Sequence, residues 1–323
     1  MKSCDICGTF NLKENNYCTH CGSKFSIENI CPYCGHVNLD YATHCVKCEK
    51  QINPITIDDF DILLSEYNVD LLSNAEITNQ EYVNILSNIF GRANLVEFYG
   101  DTTKNKILNF ASIFTECKPK SRGHERGFMF LDNCIYYDDR LADSVQIATI
   151  IHELAHYFLN KIIEGLLCFI LNVESSPTLQ SFVWYFLKLP DLEIMNEYCA
   201  HTVEGRFIPF GHQNYGTFNV LVEQLGIAEE SLEDMMTLGN SFANEIIFYL
   251  EQYIDEGLRQ EIKFQYDKDV NEPSYNSIHL ESFDSFGMTI KSRVMINLLR
   301  DVLKEASTPE NRAELEHLLN GII

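Results

Sequence analysis

Four Cys-x-x-Cys pairs occupy the first fifty residues of the chain, and they constrain its fold more than any other feature of the sequence. Ten residues separate the first pair from the second, and the same spacing returns between the third and fourth pairs. The eight cysteines are Cys4, Cys7, Cys18, Cys21, Cys31, Cys34, Cys45 and Cys48. Paired cysteines at this spacing are typical of metal sites in reducing compartments. We therefore expect two sites of four thiolates each within residues 1–50.

Glycines follow three of these pairs, at Gly8, Gly22 and Gly35. They give the chain the freedom to turn so that both thiolates of a pair face one ion. The segment resembles the double zinc ribbon found in many microbial proteins, and that resemblance implies two structural Zn²⁺ ions. Zinc binding supplies folding free energy that a short polar segment cannot obtain from a hydrophobic core.

The charge of the chain disfavours nucleic acid as a partner. Lys and Arg number 24 against 47 Asp and Glu, a formal net charge of -23 that repels phosphate backbones. Within residues 1–50 the five lysines are balanced by five acidic residues. The ribbons are therefore predicted to bind protein, either for partner recognition or for autoregulation.

Because Met1 to Cys7 lack an apolar signal core and Ile162 to Leu171 is too short to span a bilayer, we expect a cytoplasmic protein that does not enter membranes.

The remaining sequence predicts an α+β fold that is mainly α. Thr78 and Glu81 form a capping box for a helix that runs towards Gly91. β-branched and aromatic residues between Phe114 and Tyr137 predict a small antiparallel sheet. The predicted segments are the ribbons (1–50), a helical bridge (51–110), a catalytic core (111–225) and a C-terminal helical region packed on that core (226–323).

A His-Glu-x-x-His motif lies at His152, Glu153 and His156, inside a segment with helical apolar periodicity. On an α-helix the two histidines project from one face, one turn apart, and can bind the same zinc ion. Glu153 is then placed to polarise a water molecule. The surrounding residues are apolar, and polar groups in such a helix need a strong partner.

A catalytic zinc ion takes three protein ligands, so a third must come from elsewhere in the chain. Glu197 is our choice, and Glu193 on nearly the same helical face is the alternative. Asn196 precedes Glu197, and His201 follows it by one turn.

These residues resemble the gluzincins, the thermolysin-like class of zinc peptidases, in which the motif precedes a helix that bears an Asn-Glu pair. That resemblance implies a zincin-like catalytic domain with His152, His156 and Glu197 as ligands. It also implies that the residue one turn beyond Glu197 orients a ligand histidine, and here that residue is His201. A looser resemblance is to the ligand helix of ImmA/IrrE-type peptidases, whose Glu-x-x-Ala-Asn reads Glu197, Ala200 and His201 in this chain.

Two further features concern how a substrate would bind. His212 and Tyr215 lie in a glycine-flanked loop after the ligand helix, and either could stabilise an oxyanion or be a surface residue. The strand at Cys134 to Tyr137 precedes the active helix, so a peptide could pair with it as an edge strand. A buried inner strand is the alternative.

The sequence thus predicts a zinc metallopeptidase that acts as an endopeptidase, with one catalytic and two structural zinc ions and a protein or peptide substrate. The alternative is a non-catalytic scaffold or regulatory protein with a peptidase-like domain. A nucleic-acid regulator built on the ribbons is disfavoured by the charge.

Overall fold

The computed structural model describes most of the chain from residue 74 onwards and parts of the segment before it. The described residues are 2–3, 9–11, 19–20, 29–38, 45, 47–48, 50, 52, 64–65, 70–72, 74–91, 100–115, 118–121, 128–129, 134–270 and 287–313. Their fold is α+β and mainly helical, as the sequence predicts. The predicted first metal site, formed by Cys4, Cys7, Cys18 and Cys21, lies outside the described residues.

Two short hairpins repeat one pattern in the amino-terminal segment. Their strands are β1 (Lys2–Ser3), β2 (Phe10–Asn11), β3 (Asn29–Ile30) and β4 (Val37–Asn38). β1 pairs with β2 and β3 with β4, both antiparallel. Asn11 and Asn38 hold the same position in each hairpin, are both buried, and donate a hydrogen bond to the carbonyl two residues earlier. The duplication in the sequence is therefore also a duplication of local structure.

A three-stranded sheet precedes the helix that carries the His-Glu-x-x-His motif. Its strands are β5 (Lys120–Ser121), β6 (Phe128–Met129) and β7 (Ile135–Tyr137). β7 lies in the centre, antiparallel to β6 and parallel to β5, so the prediction of a purely antiparallel sheet is wrong. Because β7 is paired on both sides and buried, it is the buried inner strand that the sequence left as the alternative, and not an edge strand that could pair with a substrate.

Helices make up most of the described residues. They are α1 (Asn79–Phe90), α2 (Thr103–Thr115), α3 (Asp143–Leu171), α4 (Pro177–Phe186), α5 (Pro190–Phe207), α6 (Gly216–Leu225), α7 (Glu229–Tyr253), α8 (Glu256–Asp269) and α9 (Met288–Ala306). α1 begins with the predicted capping box: the Glu81 amide donates to Thr78 Oγ1, and the Thr78 amide donates to Glu81 Oε2.

Helix α3 is the central element of the hydrophobic core. It packs against α1, α2, α4, α5, α7 and α8, and it ends at Asn172, which adopts the left-handed conformation that Asn tolerates better than most residues. By length and composition α3 is apolar enough to cross a membrane, but most of that apolar window is buried inside the protein. Its apolar residues are therefore used to pack the other helices around it.

One hydrophobic cluster connects helices from three of the predicted segments. Phe90 of α1, Phe158 of α3 and Leu299 of α9 all belong to it and are almost fully buried. The helical bridge and the C-terminal region therefore pack directly around the helices that carry the motif and Glu197.

The crossing of α5 and α7 depends on Gly239. A Cβ atom added at this position would lie 2.6 Å from the carbonyl oxygen of Met195 and 3.4 Å from the amide nitrogen of Cys199. Backbone atoms cannot rotate away as a side chain can, so a larger residue would push α5 away from α7.

We expect Gly239→Ala to lower the free energy of unfolding by about 1–3 kcal/mol, the usual cost of overpacking. Urea unfolding measures this change. Gly91→Ala is the control, because a Cβ there has no neighbour within 4 Å. Equal stability of the two variants would show that the α5–α7 crossing does not require a glycine.

Candidate active site and metal centres

The four cysteines of the second predicted metal site converge on one point. The Sγ atoms of Cys31 and Cys48 are 3.6 Å apart, those of Cys34 and Cys45 are 3.5 Å apart, and all four lie within 4.8 Å of one another. Tetrahedral zinc with bonds of about 2.3 Å places its sulfur ligands about 3.8 Å apart. The cluster therefore fits a metal ion held by four thiolates.

The backbone of this segment favours a thiolate at Cys45. Gly35 has a φ of 69°, the conformation expected of a glycine placed just after a Cys-x-x-Cys pair. The Lys47 amide donates to Cys45 Sγ over 3.4 Å. Burial raises the pKa of Cys45, but backbone hydrogen bonds from Cys48 and Lys47 outweigh it and lower that pKa to about 6. A thiolate is the form that binds a metal ion.

A second cluster forms where α3 faces α5. His152 Nε2 lies 3.2 Å from His156 Nε2, and the carboxylate of Glu197 lies 3.7 Å from the first nitrogen and 3.6 Å from the second. Tetrahedral zinc with bonds of about 2.0–2.1 Å places such donors about 3.3 Å apart. Two imidazoles and one carboxylate are a ligand set that zinc enzymes use, with a fourth position left for water. The residues present therefore fit a zinc ion.

His201 lies beside this cluster and offers a second grouping. Suitable donor atoms of His152, Glu197 and His201 all lie within 4.8 Å of one another. His201 Nδ1 is 3.5 Å from Glu204 Oε2, and its Nε2 is 3.1 Å from Thr217 Oγ1. His152 and Glu197 thus belong to both groupings, with either His156 or His201 as the third member.

Side chains from α5 orient the two motif histidines. Asn196 Oδ1 lies 2.8 Å from His156 Nδ1, and Glu204 Oε2 lies 3.1 Å from His152 Nδ1. Acceptors at both Nδ1 atoms favour the tautomer with the proton on Nδ1. The lone pair of Nε2 is then free to bind a metal ion. The orienting residue of His152 is therefore Glu204, two turns beyond Glu197, rather than His201 one turn beyond it. Sequence reasoning missed Glu204, although its spacing of seven from Glu197 places both on one helical face.

The structure separates the remaining candidates. Glu193, the alternative third ligand, forms an ion pair with Lys188 over 2.7 Å. His212 Nε2 faces Asp267 at 3.3 Å, and the Tyr215 ring packs against those of His201 and Tyr198. His212 and Tyr215 are absent from the described residues that line the cavity over the cluster. The structure thus brings Glu153, His152, His156, Glu197 and His201 together at the cavity, whereas His212 and Tyr215 do not line it.

That cavity has a volume of about 840 Å³ and opens above His152, Glu153 and His156. Its walls combine apolar and polar groups. The apolar ones are Leu141, Val145, Trp184, Leu187 and Val220, and the polar ones outside the cluster include Asn160, Lys188, Asn214 and Thr217. A cavity of this size and mixed lining is typical of a ligand-binding site.

Burial and neighbouring charges shift the pKa values of the cluster. Burial raises the pKa of Glu153 to about 7; His152 opposes this rise, and the carboxylates of Glu197 and Glu204 add to it. Burial lowers the pKa of His156 to about 4, so its imidazole is neutral near pH 7. For His152, burial is outweighed by hydrogen bonds to Glu197 and Glu204, which raise its pKa. A metal ion must therefore displace a proton from His152 in order to bind.

Comparison with known proteins finds no match. No family model, no curated protein and no solved structure matches the chain.

Proposed function

We propose that the protein is a zinc-dependent peptidase that hydrolyses peptide bonds of an intracellular protein. The observation that carries this proposal is the convergence of His152, His156 and Glu197 at the floor of a cavity that Glu153 also lines. The motif helix α3 and the ligand helix α5 would form the centre of a zincin-like domain. The choice of His156, rather than His201, to complete the ligand set with His152 and Glu197 is supported by donor distances of 3.2, 3.6 and 3.7 Å, which suit a tetrahedral zinc ion.

A bound zinc ion would supply Lewis-acid polarisation of water and of the substrate carbonyl. Asn196 and Glu204 hold the histidines in the orientation that such an ion requires. Glu153 accepts a proton from the attacking water and passes it to the leaving nitrogen. The oxygen of water forms a bond to the carbonyl carbon as the carbon–nitrogen bond breaks, so that one carboxylic acid and one amine result. A pKa near 7 suits a group that must both accept and return a proton.

The ribbons are proposed to recognise a protein partner or to regulate the enzyme. The net charge of -23 favours protein over nucleic acid as that partner, and the Cys-x-x-Cys spacing, typical of metal sites in reducing compartments, favours a cytoplasmic location. Two structural zinc ions and one catalytic ion would give about three per chain.

One observation favours the alternative of a non-catalytic scaffold. His201 lies close enough to His152 and Glu197 to be grouped with them. If it joined His156 as a fourth ligand, no position would remain for water, and the site would be structural.

Metal content and cleavage together test the proposal. We expect the wild-type chain to bind about three zinc ions and to cleave unfolded proteins, and His156→Asn to lose one ion and all cleavage. Zinc is measured by mass spectrometry on the purified protein, and cleavage by the appearance of new amino termini in a denatured proteome. His212→Asn is the matched control, since His212 is a buried histidine outside the cavity. A wild-type chain that binds the third ion without cleaving any protein would favour the scaffold.

A further inference from the structure

The cavity over the cluster follows helix α3 along its length. The α3 residues that line it at spacings of three or four are Val145, Thr149, His152, His156 and Asn160, so they share one face of the helix. Along the helix axis Val145 and Asn160 are about 22 Å apart, at ~1.5 Å per residue. An extended peptide covers that length with about six or seven residues. The cavity therefore continues on both sides of the two motif histidines.

The end of the cavity that precedes His152 is apolar. Leu141 and Val145 line it, and Leu141 is 40% exposed although its side chain is large and hydrophobic. Covering an exposed apolar side chain with another one is favourable, because both are removed from water. This end of the cavity therefore favours an apolar side chain of a bound peptide.

Helix α4 forms the opposite end of the cavity. Gln180 of α4 donates a hydrogen bond of 3.3 Å to Glu164 of α3. One turn further along α4, Trp184 lines the cavity, and one turn back along α3, so does Asn160. α4 therefore runs back along α3, and Lys188, which follows α4 in the chain, lies at this end of the cavity.

Lys188 gives this end a positive charge. Among the described residues that line the cavity, it is the one Lys or Arg. Its Nζ lies 2.7 Å from Glu193 Oε1 and 6.0 Å from the ring centroid of Trp184. The side chain is 41% exposed, and an ion pair with this exposure is weak. Because an ammonium group has three hydrogen-bond donors, Nζ can bind a second carboxylate while it keeps Glu193.

The carboxylates that line the cavity belong to the histidine cluster. Glu197 lies 3.6 Å from His156 Nε2, and Glu204 lies 3.1 Å from His152 Nδ1. Glu193 is not among the described residues that line the cavity. The ammonium group of Lys188 is therefore the charge that a peptide side chain meets at this end.

We propose that Lys188 binds the carboxylate of an aspartate or glutamate side chain of the substrate, at the end of the cavity opposite to Leu141 and Val145. This inference rests on the proposed peptidase function and names its substrate class. The preferred peptide has an acidic residue on one side of the cleaved bond and an apolar residue on the other. A basic side chain at the acidic position would be repelled by Lys188.

Peptide binding tests the inference without cleavage. The probes are fluorescent heptapeptides of alanine, blocked at both ends, that carry leucine and glutamate on opposite sides of the central bond, in both orders. Their counterparts carry lysine in place of glutamate, and a second set has a free carboxyl terminus. Fluorescence anisotropy measures their binding to the Glu153→Gln chain. In one of the two orders, we expect the glutamate peptide to bind about tenfold more tightly than the lysine peptide.

Two variants in the same Glu153→Gln chain assign this preference to one residue. Lys188→Glu is expected to reverse it, so that the lysine peptide binds more tightly than the glutamate peptide. Lys304→Glu is the matched control, because it changes the net charge by the same amount at an exposed position of α9. It should leave the preference unchanged.

Several results would overturn the inference. They are equal binding of the glutamate and lysine peptides in both orders, a preference that Lys188→Glu does not change, and no binding of any peptide. A preference seen only with a free carboxyl terminus would assign Lys188 to a terminal carboxylate, and would also overturn the acidic side chain.

Cleavage of a denatured proteome separates this inference from the proposed function. A wild-type chain that cleaves proteins without acidic residues near the new termini would refute the role of Lys188 and leave the peptidase intact. A wild-type chain that cleaves nothing, while Glu153→Gln still prefers glutamate peptides, would refute the peptidase and support the role of Lys188 in binding.

Discussion

Replacement of Glu153 by Gln is expected to lower kcat by about 10²–10⁴-fold, the range measured for the loss of a general base. The amide has nearly the same shape as the carboxylate, so the cavity and its neighbours remain in place. It cannot accept a proton from water or return one to the leaving nitrogen. Since His152, His156 and Glu197 form the proposed ligand set, the variant should keep all of its zinc.

Cleavage rate and zinc content of the same purified samples check this expectation. Glu164→Gln is the matched control, because Glu164 is also a buried carboxylate on α3 but does not line the cavity. The wild-type rate should also decline as the pH falls below the pKa of Glu153, since only the carboxylate accepts a proton. Wild-type cleavage by Glu153→Gln would refute the proposed mechanism.

Local patterns in the sequence were sufficient to predict several elements. The equal spacing of the cysteines predicted the convergence seen at Cys31, Cys34, Cys45 and Cys48. Helical periodicity predicted α3, and the capping box at Thr78 predicted the start of α1. These features depend on residues a few positions apart, whose relation is fixed by the geometry of one helix or one turn.

Other features depend on contacts between distant segments, and the sequence did not specify them. The parallel pairing of β5 with β7 joins strands that are separated by β6 in the chain. The packing of α5 against α3 brings Glu204 to His152, 52 positions away. Glu193, on the same helix, instead forms an ion pair with Lys188. His212 is placed by the packing of α8, which brings Asp267 to its ring. Tertiary packing determines which of these side chains meet. Sequence patterns alone therefore could not identify the site residues among the plausible polar ones.

The second large effect is expected at Lys291, which belongs to neither proposed metal site. Lys291 of α9 is 1% exposed and forms an ion pair with Glu245 of α7. Its Nζ lies 4.8 Å from the ring centroid of Phe242 and 5.1 Å from that of Tyr82. Tyr82 of α1 in turn donates a hydrogen bond of 2.7 Å to Glu245 Oε2. One buried charge pair therefore links α1, α7 and α9.

We expect Glu245→Ala to lower the free energy of unfolding by about 3–5 kcal/mol at neutral pH, because it leaves the ammonium of Lys291 buried without a counter-charge. Urea unfolding followed by circular dichroism measures the change. Burial already lowers the pKa of Lys291, and the loss of Glu245 removes the charge that opposes this. The penalty applies while Lys291 is protonated in the folded state. It should therefore diminish as the pH rises through the lowered pKa towards the unfolded value of about 10.4.

A double variant separates the loss of the charge pair from the loss of packing. Lys291→Met with Glu245→Gln removes both charges, retains an acceptor for the Tyr82 hydroxyl, and fills nearly the same volume. Replacement of a buried ion pair by uncharged residues of similar size is often neutral, so we expect the double variant to be more stable than Glu245→Ala. If the two are equally unstable at neutral pH, and the instability of Glu245→Ala does not change at alkaline pH, then packing rather than uncompensated charge is what fixes α9 to α7.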